Sequence, residues 1–166
     1  MTAMAVLAVV GVLMVIEWRV SVRNERALRA RGAREPPDDV HRWMRLAYPG
    51  GFMAMAGEGI VRGAAADLQL LAGGVVFLAA KTLKYWSIAS LGPYWSFRVL
   101  VVPGAPLVQH GPYRFARHPN YIAVIGELVG AALLFDAPAA GTIATLLFAE
   151  LIRRRVAVEE RALLNR

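Results

Sequence analysis

The sequence contains no cysteine, and this absence excludes several kinds of site. A chain without cysteine has no disulfide framework, no thiolate-bound zinc and no cysteine nucleophile. The three histidines, His41, His110 and His118, are scattered and lack the spacing of metal ligands. We therefore expect the protein to bind no metal.

Charged residues are also scarce. They make up 19% of the 166 residues, whereas apolar residues make up 57%. Soluble domains have about 25% charged and about 45–50% apolar residues, and a small globule still exposes much of its surface. The net charge of +7 comes from basic residues that flank apolar runs, which is the pattern of membrane loops. We expect a membrane protein in contact with lipids, with no nucleic-acid partner.

The first apolar run has no basic residue before it. Residues 1–10 contain no Lys or Arg, and the run from Thr2 to Ile16 is closed by Glu17, Trp18 and Arg19. A signal peptide has the opposite charge order and small residues at a cleavage site. We therefore expect a retained membrane helix whose N-terminus lies outside.

Apolar runs and breaks at Pro and Gly predict five helices, at about 2–30, 42–61, 68–91, 119–135 and 138–164. The predicted fold is a single all-α domain, integral to the membrane, with about five transmembrane helices. An outer N-terminus and a cytoplasmic C-terminus leave only Arg62, of 19 Lys and Arg, on the outer side. This agrees with the positive-inside rule, which is a signal independent of the apolar runs.

Several charged residues lie inside the predicted helices. Lys81 and Lys84 are expected to extend towards the headgroups. Glu127 lies eight residues beyond Pro119, about 12 Å into the membrane. An acid at that depth is a candidate catalytic residue, or it pairs with one of the lysines. The remaining acids in the helices are expected near helix ends, in contact with water or headgroups: Glu17, Glu58 and Glu150.

Two polar clusters, residues 111–121 and 155–160, lie where the fourth helix begins and the fifth ends. Antiparallel helices joined by a short turn bring these ends together on the cytoplasmic side. The free N–H groups after Pro119 favour an anion, and Tyr113 and Tyr121 offer flat faces to an adenine or a sulfonium. Arg155 and Glu159 share one helical face and suit a carboxylate and an ammonium or ribose. Taken separately, each cluster is also typical of an interface anchor or a solvated helix face.

The residues in these clusters resemble a known family. The Gly-x-Tyr and Arg-His-Pro-x-Tyr elements between Gly104 and Tyr121, and the Arg-x-x-x-Glu-Glu element from Arg155 to Glu160, resemble the isoprenylcysteine carboxyl methyltransferase family. Leu91-Gly92 followed by Trp95, Arg98 and Pro103-Gly104 fits its bacterial branch. The resemblance covers about the C-terminal half of the chain.

The resemblance implies S-adenosylmethionine as cofactor, with S-adenosylhomocysteine as product, in a site formed by residues 104–121 and 150–160. Arg155 would contact the substrate and act in catalysis. Matched positions imply these cofactor contacts: Ala105, Pro106, Leu107, Val108, Tyr113, His118, Pro119, Asn120, Tyr121 and Glu159.

The implied substrate is a lipophilic small molecule that enters from the bilayer of a bacterial inner membrane. Its methylated group is the carboxylate of a prenylcysteine-like molecule, or the hydroxyl of a lipidic phenol or pyrone. A hydroxyl would have to lose its proton, with His118, Glu127 or Glu160 as helpers. Two other classes stay open, an NADPH-dependent sterol-type membrane reductase and a non-enzymatic small membrane transporter.

Overall fold

A computed structural model describes residues 2–37, 39–63 and 68–164 of the chain. Over these ranges the protein is all-helical, with no β-strand and one isolated β-bridge between Arg34 and Val101. The five helices are α1 (Thr2–Ala30), α2 (His41–Arg62), α3 (Leu68–Leu91), α4 (Pro119–Leu134) and α5 (Pro138–Leu164). Short 3₁₀ turns at Gly92–Tyr94 and Gly111–Arg114 lie between α3 and α4.

The predicted helix bounds agree with the structure to within one residue at each end, because local signals set them. Gly63, with φ of 68°, ends α2 in the left-handed conformation that glycine adopts without strain. Gly92, with φ of 53°, follows the last residue of α3 in the same way. Pro119 is the first residue of α4, where its missing N–H costs nothing.

Helices α3 and α4 pack in close contact along small residues. A Cβ added to Gly130 would lie 2.6 Å from the Phe77 backbone nitrogen, and one added to Gly73 would lie 2.6 Å from that of Leu134. Glycine therefore sets the separation of these two helices, as small residues do between membrane helices.

The outer surface of the bundle is apolar. Large apolar side chains such as Val61, Leu78 and Leu146 are more than 60% exposed. By length and composition, one of the described helices, over Ala3–Ala30, is long and apolar enough to cross a membrane. Lysines interrupt the apolar run of α3, and arginines occupy the second half of α5.

Four charged side chains meet in the interior of the bundle, and we call them the ion quartet: Glu17, Lys81, Lys84 and Glu127. Lys81 Nζ lies 2.7 Å from Glu17 Oε1 and 2.9 Å from Glu127 Oε1. Lys84 Nζ lies 2.7 Å from Glu17 Oε2 and 3.1 Å from Glu127 Oε2. Each side chain is at most 6% exposed. The ion quartet thus joins α1, α3 and α4, and the Tyr48 hydroxyl donates to Glu127 from α2.

The ion quartet corrects two expectations. Lys81 and Lys84 do not extend towards headgroups but turn inwards, because two buried carboxylates lie on the neighbouring helices. Glu17 does not reach water or headgroups either, since it is 1% exposed and pairs with both lysines. For Glu127, the pairing with Lys81 and Lys84 is the observed arrangement.

Removing one cation from the ion quartet should destabilise the protein. In Lys81→Met, two carboxylates share a single ammonium, and breaking a buried ion pair costs about 3–5 kcal/mol. The double variant Lys81→Met/Glu127→Gln restores the charge balance, so we expect it to recover most of this loss. Unfolding in detergent micelles measures both effects. A single variant as stable as wild type, or a double variant no more stable than the single, would contradict this role.

Candidate active site

The hydroxyl group of Tyr121 joins the two polar clusters. Tyr121 OH donates to Glu159 Oε2 at 2.8 Å and accepts from Arg155 Nε, also at 2.8 Å. Because Tyr121 is in the first turn of α4 and the other two residues are near the end of α5, this contact fixes the two helix ends against each other.

His118 lies beside this contact, one residue before α4. Its ring stacks on that of Tyr121 with centroids 5.5 Å apart and planes 21° apart. Its Nδ1 atom lies 3.9 Å from Glu159 Oε2, and its Nε2 atom lies 3.6 Å from Glu160 Oε1. An imidazole, two carboxylates and a phenol therefore share one small region.

The loop before α4 is held in place by Gly111. Its φ of 60° favours glycine, and an added Cβ would lie 2.1 Å from Ser90 Oγ on α3. The close approach places Tyr113 against α3, with a hydrogen bond to Ser87. Burial, and then the nearby Glu159 carboxylate, raise the pKa of Tyr113 well above its ordinary value. Its phenol is therefore protonated at neutral pH.

The guanidinium of Arg155 is bound on several sides by the protein itself. Besides Tyr121, Nη1 donates to Asp39 Oδ1 at 2.9 Å and Nη2 donates to the Phe97 carbonyl at 2.6 Å. The side chains of Arg155 and Asp39 are 6% and 4% exposed. An internal carboxylate thus takes the position that a substrate carboxylate was expected to occupy.

Asp39 belongs to a segment that lies across the end of the bundle, which we call the strap, residues 31–37 and 39–40. Arg34 N donates to Val101 O at 2.9 Å, and Val101 N donates to Arg34 O at 3.0 Å. Asp39 Oδ2 accepts from Val99 N at 3.1 Å. The strap is therefore joined to residues 95–101 as well as to α5.

Glu35 adds an ionic contact between the strap and its surroundings. It pairs with Arg98 at 2.6 Å and also with Arg29. Burial alone would raise the pKa of Glu35, but the hydrogen bonds and charges of the two arginines outweigh it and lower the pKa below its ordinary value. The pair therefore stabilises the folded protein at neutral pH and loses that contribution in acid.

A cavity of about 500 Å³ opens from this region into the bundle. Its polar end is formed by the residues around Tyr121, and it continues between α1, α2 and α5 along apolar side chains such as Met14, Met44 and Phe148. At its other end it reaches the ion quartet at Glu17 and Lys84. A pocket of this size and lining suits a ligand that is largely apolar with a few polar groups.

The structure places the predicted site residues in two groups. Those that line the cavity are Tyr113, His118, Asn120, Tyr121, Arg155 and Glu159. Those that do not line it are Ala105, Pro106, Leu107, Val108, Pro119 and Glu127. Pro119 and Glu127 are buried behind the cavity wall, and Leu107 is 52% exposed on the surface. Contact of residues 105–108 with a cofactor stays a prediction.

Two buried polar atoms on the cavity wall have no hydrogen-bond partner among the described residues, Asn120 Oδ1 and Trp95 Nε1. Buried polar groups are nearly always paired, so such atoms point to a ligand. One is an acceptor and the other a donor. Together with Glu159 and Tyr113, they fit a cofactor that carries amino and hydroxyl groups beside a flat ring.

The C-terminal part of the chain matches a family model. Residues 72–165 match the model described as the isoprenylcysteine carboxyl methyltransferase (ICMT) family. The chain belongs to this family. Helix α3 from residue 72 onwards, helices α4 and α5, and the cavity-lining residues after Gly92 therefore lie in the part that matches the family.

Two bacterial proteins are similar over most of their length. A Bacillus subtilis (strain 168) protein, described as uncharacterized protein YpbQ, is 30% identical over 95% of this chain and 94% of its own. A Haemophilus influenzae protein, also described as uncharacterized, is 22% identical over 87% of this chain and 84% of its own. No solved structure matches. The similarity to the first protein extends to α1 and α2, which lie outside the family match.

Sequence reasoning missed three contributors to this region: Asp39, Glu17 and the Phe97 carbonyl. Asp39 lies between the first two predicted helices, where no residue pattern marks it as a partner of Arg155. Glu17 carried a usable signal, because an acid within an apolar helix is a functional candidate on the same grounds as Glu127. No residue pattern marks a backbone carbonyl such as that of Phe97.

Asp39 should stabilise the attachment of the strap to residues 95–101 and to α5. Asp39→Asn removes the charge opposite Arg155, and a hydrogen bond to a charged group contributes about 1.5–3 kcal/mol. We expect amide exchange in residues 95–101 to be about tenfold faster or more, because local opening becomes easier. Hydrogen–deuterium exchange with mass spectrometry measures this. Asp136→Asn, at the opposite end of the bundle, is the control, and equal exchange in the two variants would contradict the assignment.

Proposed function

We propose that this ICMT family protein is an integral membrane methyltransferase that transfers a methyl group from S-adenosylmethionine to an oxygen of a lipid-like substrate. One observation carries the proposal. The polar residues that match the family's motifs line one end of a largely apolar cavity within a helical bundle. A polar cofactor and an apolar substrate would therefore meet in one cavity.

The cofactor would be held where α4 begins and α5 ends. Glu159, already fixed by Tyr121, suits the ammonium or the ribose hydroxyls of S-adenosylmethionine. The ring faces of Tyr113 and His118 suit its adenine or sulfonium. Asn120 Oδ1, unpartnered among the described side chains, suits an amino group. These roles agree with the donor and acceptor types that each residue offers.

The membrane arrangement is part of the same proposal. We place all five helices across a bacterial inner membrane, with the N-terminus outside and the active site on the cytoplasmic side. The exposed apolar surface of the bundle supports contact with lipid. The basic residues of the strap and of α5 then lie on the inner side, as the positive-inside rule expects.

Bound S-adenosylmethionine supplies an activated methyl group, so the protein mainly has to position the substrate and exclude water. Residues 95–101 line the polar end of the cavity, and the strap binds to them, so that together they would limit water entry. Correct positioning alone can supply about 7–11 kcal/mol of the barrier in ideal cases. The apolar walls favour a substrate that enters from the bilayer, a prenylcysteine-like carboxylate or a lipidic phenol or pyrone.

Binding of S-adenosylhomocysteine tests the cofactor assignment. We expect saturable binding to the detergent-solubilised protein, weakened about tenfold or more, or about 1.4 kcal/mol, by His118→Ala and by Glu159→Ala. Each substitution removes a side chain from the cavity wall. Arg62→Ala, at the opposite end of the bundle, should bind like wild type. No binding to folded wild-type protein in titration calorimetry, or undiminished binding by both variants, would contradict the proposal.

A further inference from the structure

Only half of the ion quartet faces the cavity. Glu17 and Lys84 line it, together with Tyr48, whereas Lys81 and Glu127 do not. Both lysines contact the same two carboxylates at similar distances. A cluster that only clamps helices together has no need to present one carboxylate and one ammonium to a ligand cavity.

Lys84 has one hydrogen-bond position that the protein fills only weakly. An ammonium offers three donors. Two are directed at Glu17 Oε2, at 2.7 Å, and Glu127 Oε2, at 3.1 Å. The third contact is with Tyr48 OH at 3.5 Å, which is long for a hydrogen bond. An oxygen atom in the cavity would replace this contact at little cost.

Glu17 has hydrogen-bond acceptor positions that the lysines do not fill. Its two carboxylate oxygens offer about four acceptor positions, and the lysines approach one oxygen each. The inner end of the cavity thus presents a donor next to an acceptor. A hydroxyl group both accepts and donates and so matches this pair, whereas a carboxylate would be repelled by Glu17.

The contacts at the outer end of the cavity also favour a hydroxyl over a carboxylate. Arg155, the residue expected to bind a substrate carboxylate, is already paired with the buried Asp39 at 2.9 Å. A substrate carboxylate would have to displace Asp39 together with its hydrogen bond from Val99 N. A neutral hydroxyl imposes no such exchange.

We propose that Glu17 and Lys84 form the subsite that binds the hydroxyl of an amphipathic alcohol or phenol, with its apolar chain along Met14, Met44 and Phe148. This inference rests on the proposed methyltransferase function and names its substrate class. The subsite is deeper in the bundle than the cofactor residues. Tyr121 and Glu127 are six residues apart on α4, a rise of about 9 Å. This rise leaves room for an attack distance of about 3 Å between the substrate oxygen and the methyl carbon, and for a hydrogen bond of about 3 Å from that oxygen to the subsite.

Glu17 and Lys84 would also take part in the methylation of a hydroxyl substrate. As the hydroxyl oxygen forms its bond to the methyl carbon, its O–H bond breaks and the proton passes to a Glu17 oxygen. The carbon–sulfur bond breaks, and its electron pair stays on sulfur. Glu17 would therefore act as general base, and Lys84 would stabilise the negative charge that develops on the oxygen.

A pair of charge-balanced variants tests the subsite. Lys84→Met/Glu127→Gln and Lys81→Met/Glu127→Gln each keep Glu17 and one lysine, and they differ in whether that lysine faces the cavity. The probes are a pentadecyl-substituted phenol and pentadecylbenzene, which lacks the hydroxyl. Binding in detergent is followed through tryptophan fluorescence, since Trp18 and Trp95 line the cavity. S-adenosylhomocysteine binding is measured on the same samples.

We expect wild type and the variant that keeps Lys84 to prefer the phenol by about tenfold or more, as a charge-assisted hydrogen bond provides. The variant that keeps Lys81 should lose this preference. Equal preference in the two variants, or no preference in wild type, would overturn the subsite. S-adenosylhomocysteine binding should be the same in all three proteins, and its absence from wild type would instead overturn the proposed function.

Discussion

Four charges buried among apolar helices constrain the whole architecture. Ions in such surroundings are tolerated when each one is paired, so Glu17, Lys81, Lys84 and Glu127 must come together. Their pairing fixes the rotation of α1, α3 and α4 about their axes, and Tyr48 adds α2. The cavity lies next to this cluster, and the position of its inner end therefore depends on the same contacts.

The other end of the cavity is built on a similar principle. Arg155 is buried and paired with Asp39, and its remaining contacts join Tyr121 and the Phe97 carbonyl. Charges at both ends of the cavity are thus compensated inside the protein. In such a space an uncharged oxygen nucleophile is the easier ligand to admit, because a charged one would lose hydration without gaining an unpaired partner.

The helices could be predicted from the sequence because local features determine them. Apolar runs, Pro119 and the glycines after α2 and α3 are visible in a few consecutive residues. The proximity of Tyr121 to Arg155 and Glu159 could also be predicted from the sequence, because a short turn joins α4 and α5. By contrast, Glu17 and Lys81 are 64 residues apart and Asp39 and Arg155 are 116 apart. Those pairings depend on helix rotation and on the path of the strap, which no local pattern specifies.

We propose that the methyl donor binds where α4 begins and α5 ends. Ultraviolet cross-linking of radiolabelled S-adenosylmethionine to the purified protein, followed by peptide mapping, tests it most directly. We expect label within residues 104–121 and 150–160, removed by excess S-adenosylhomocysteine and retained under excess NADPH. Specific label confined to other segments, or no label that S-adenosylhomocysteine displaces, would contradict it.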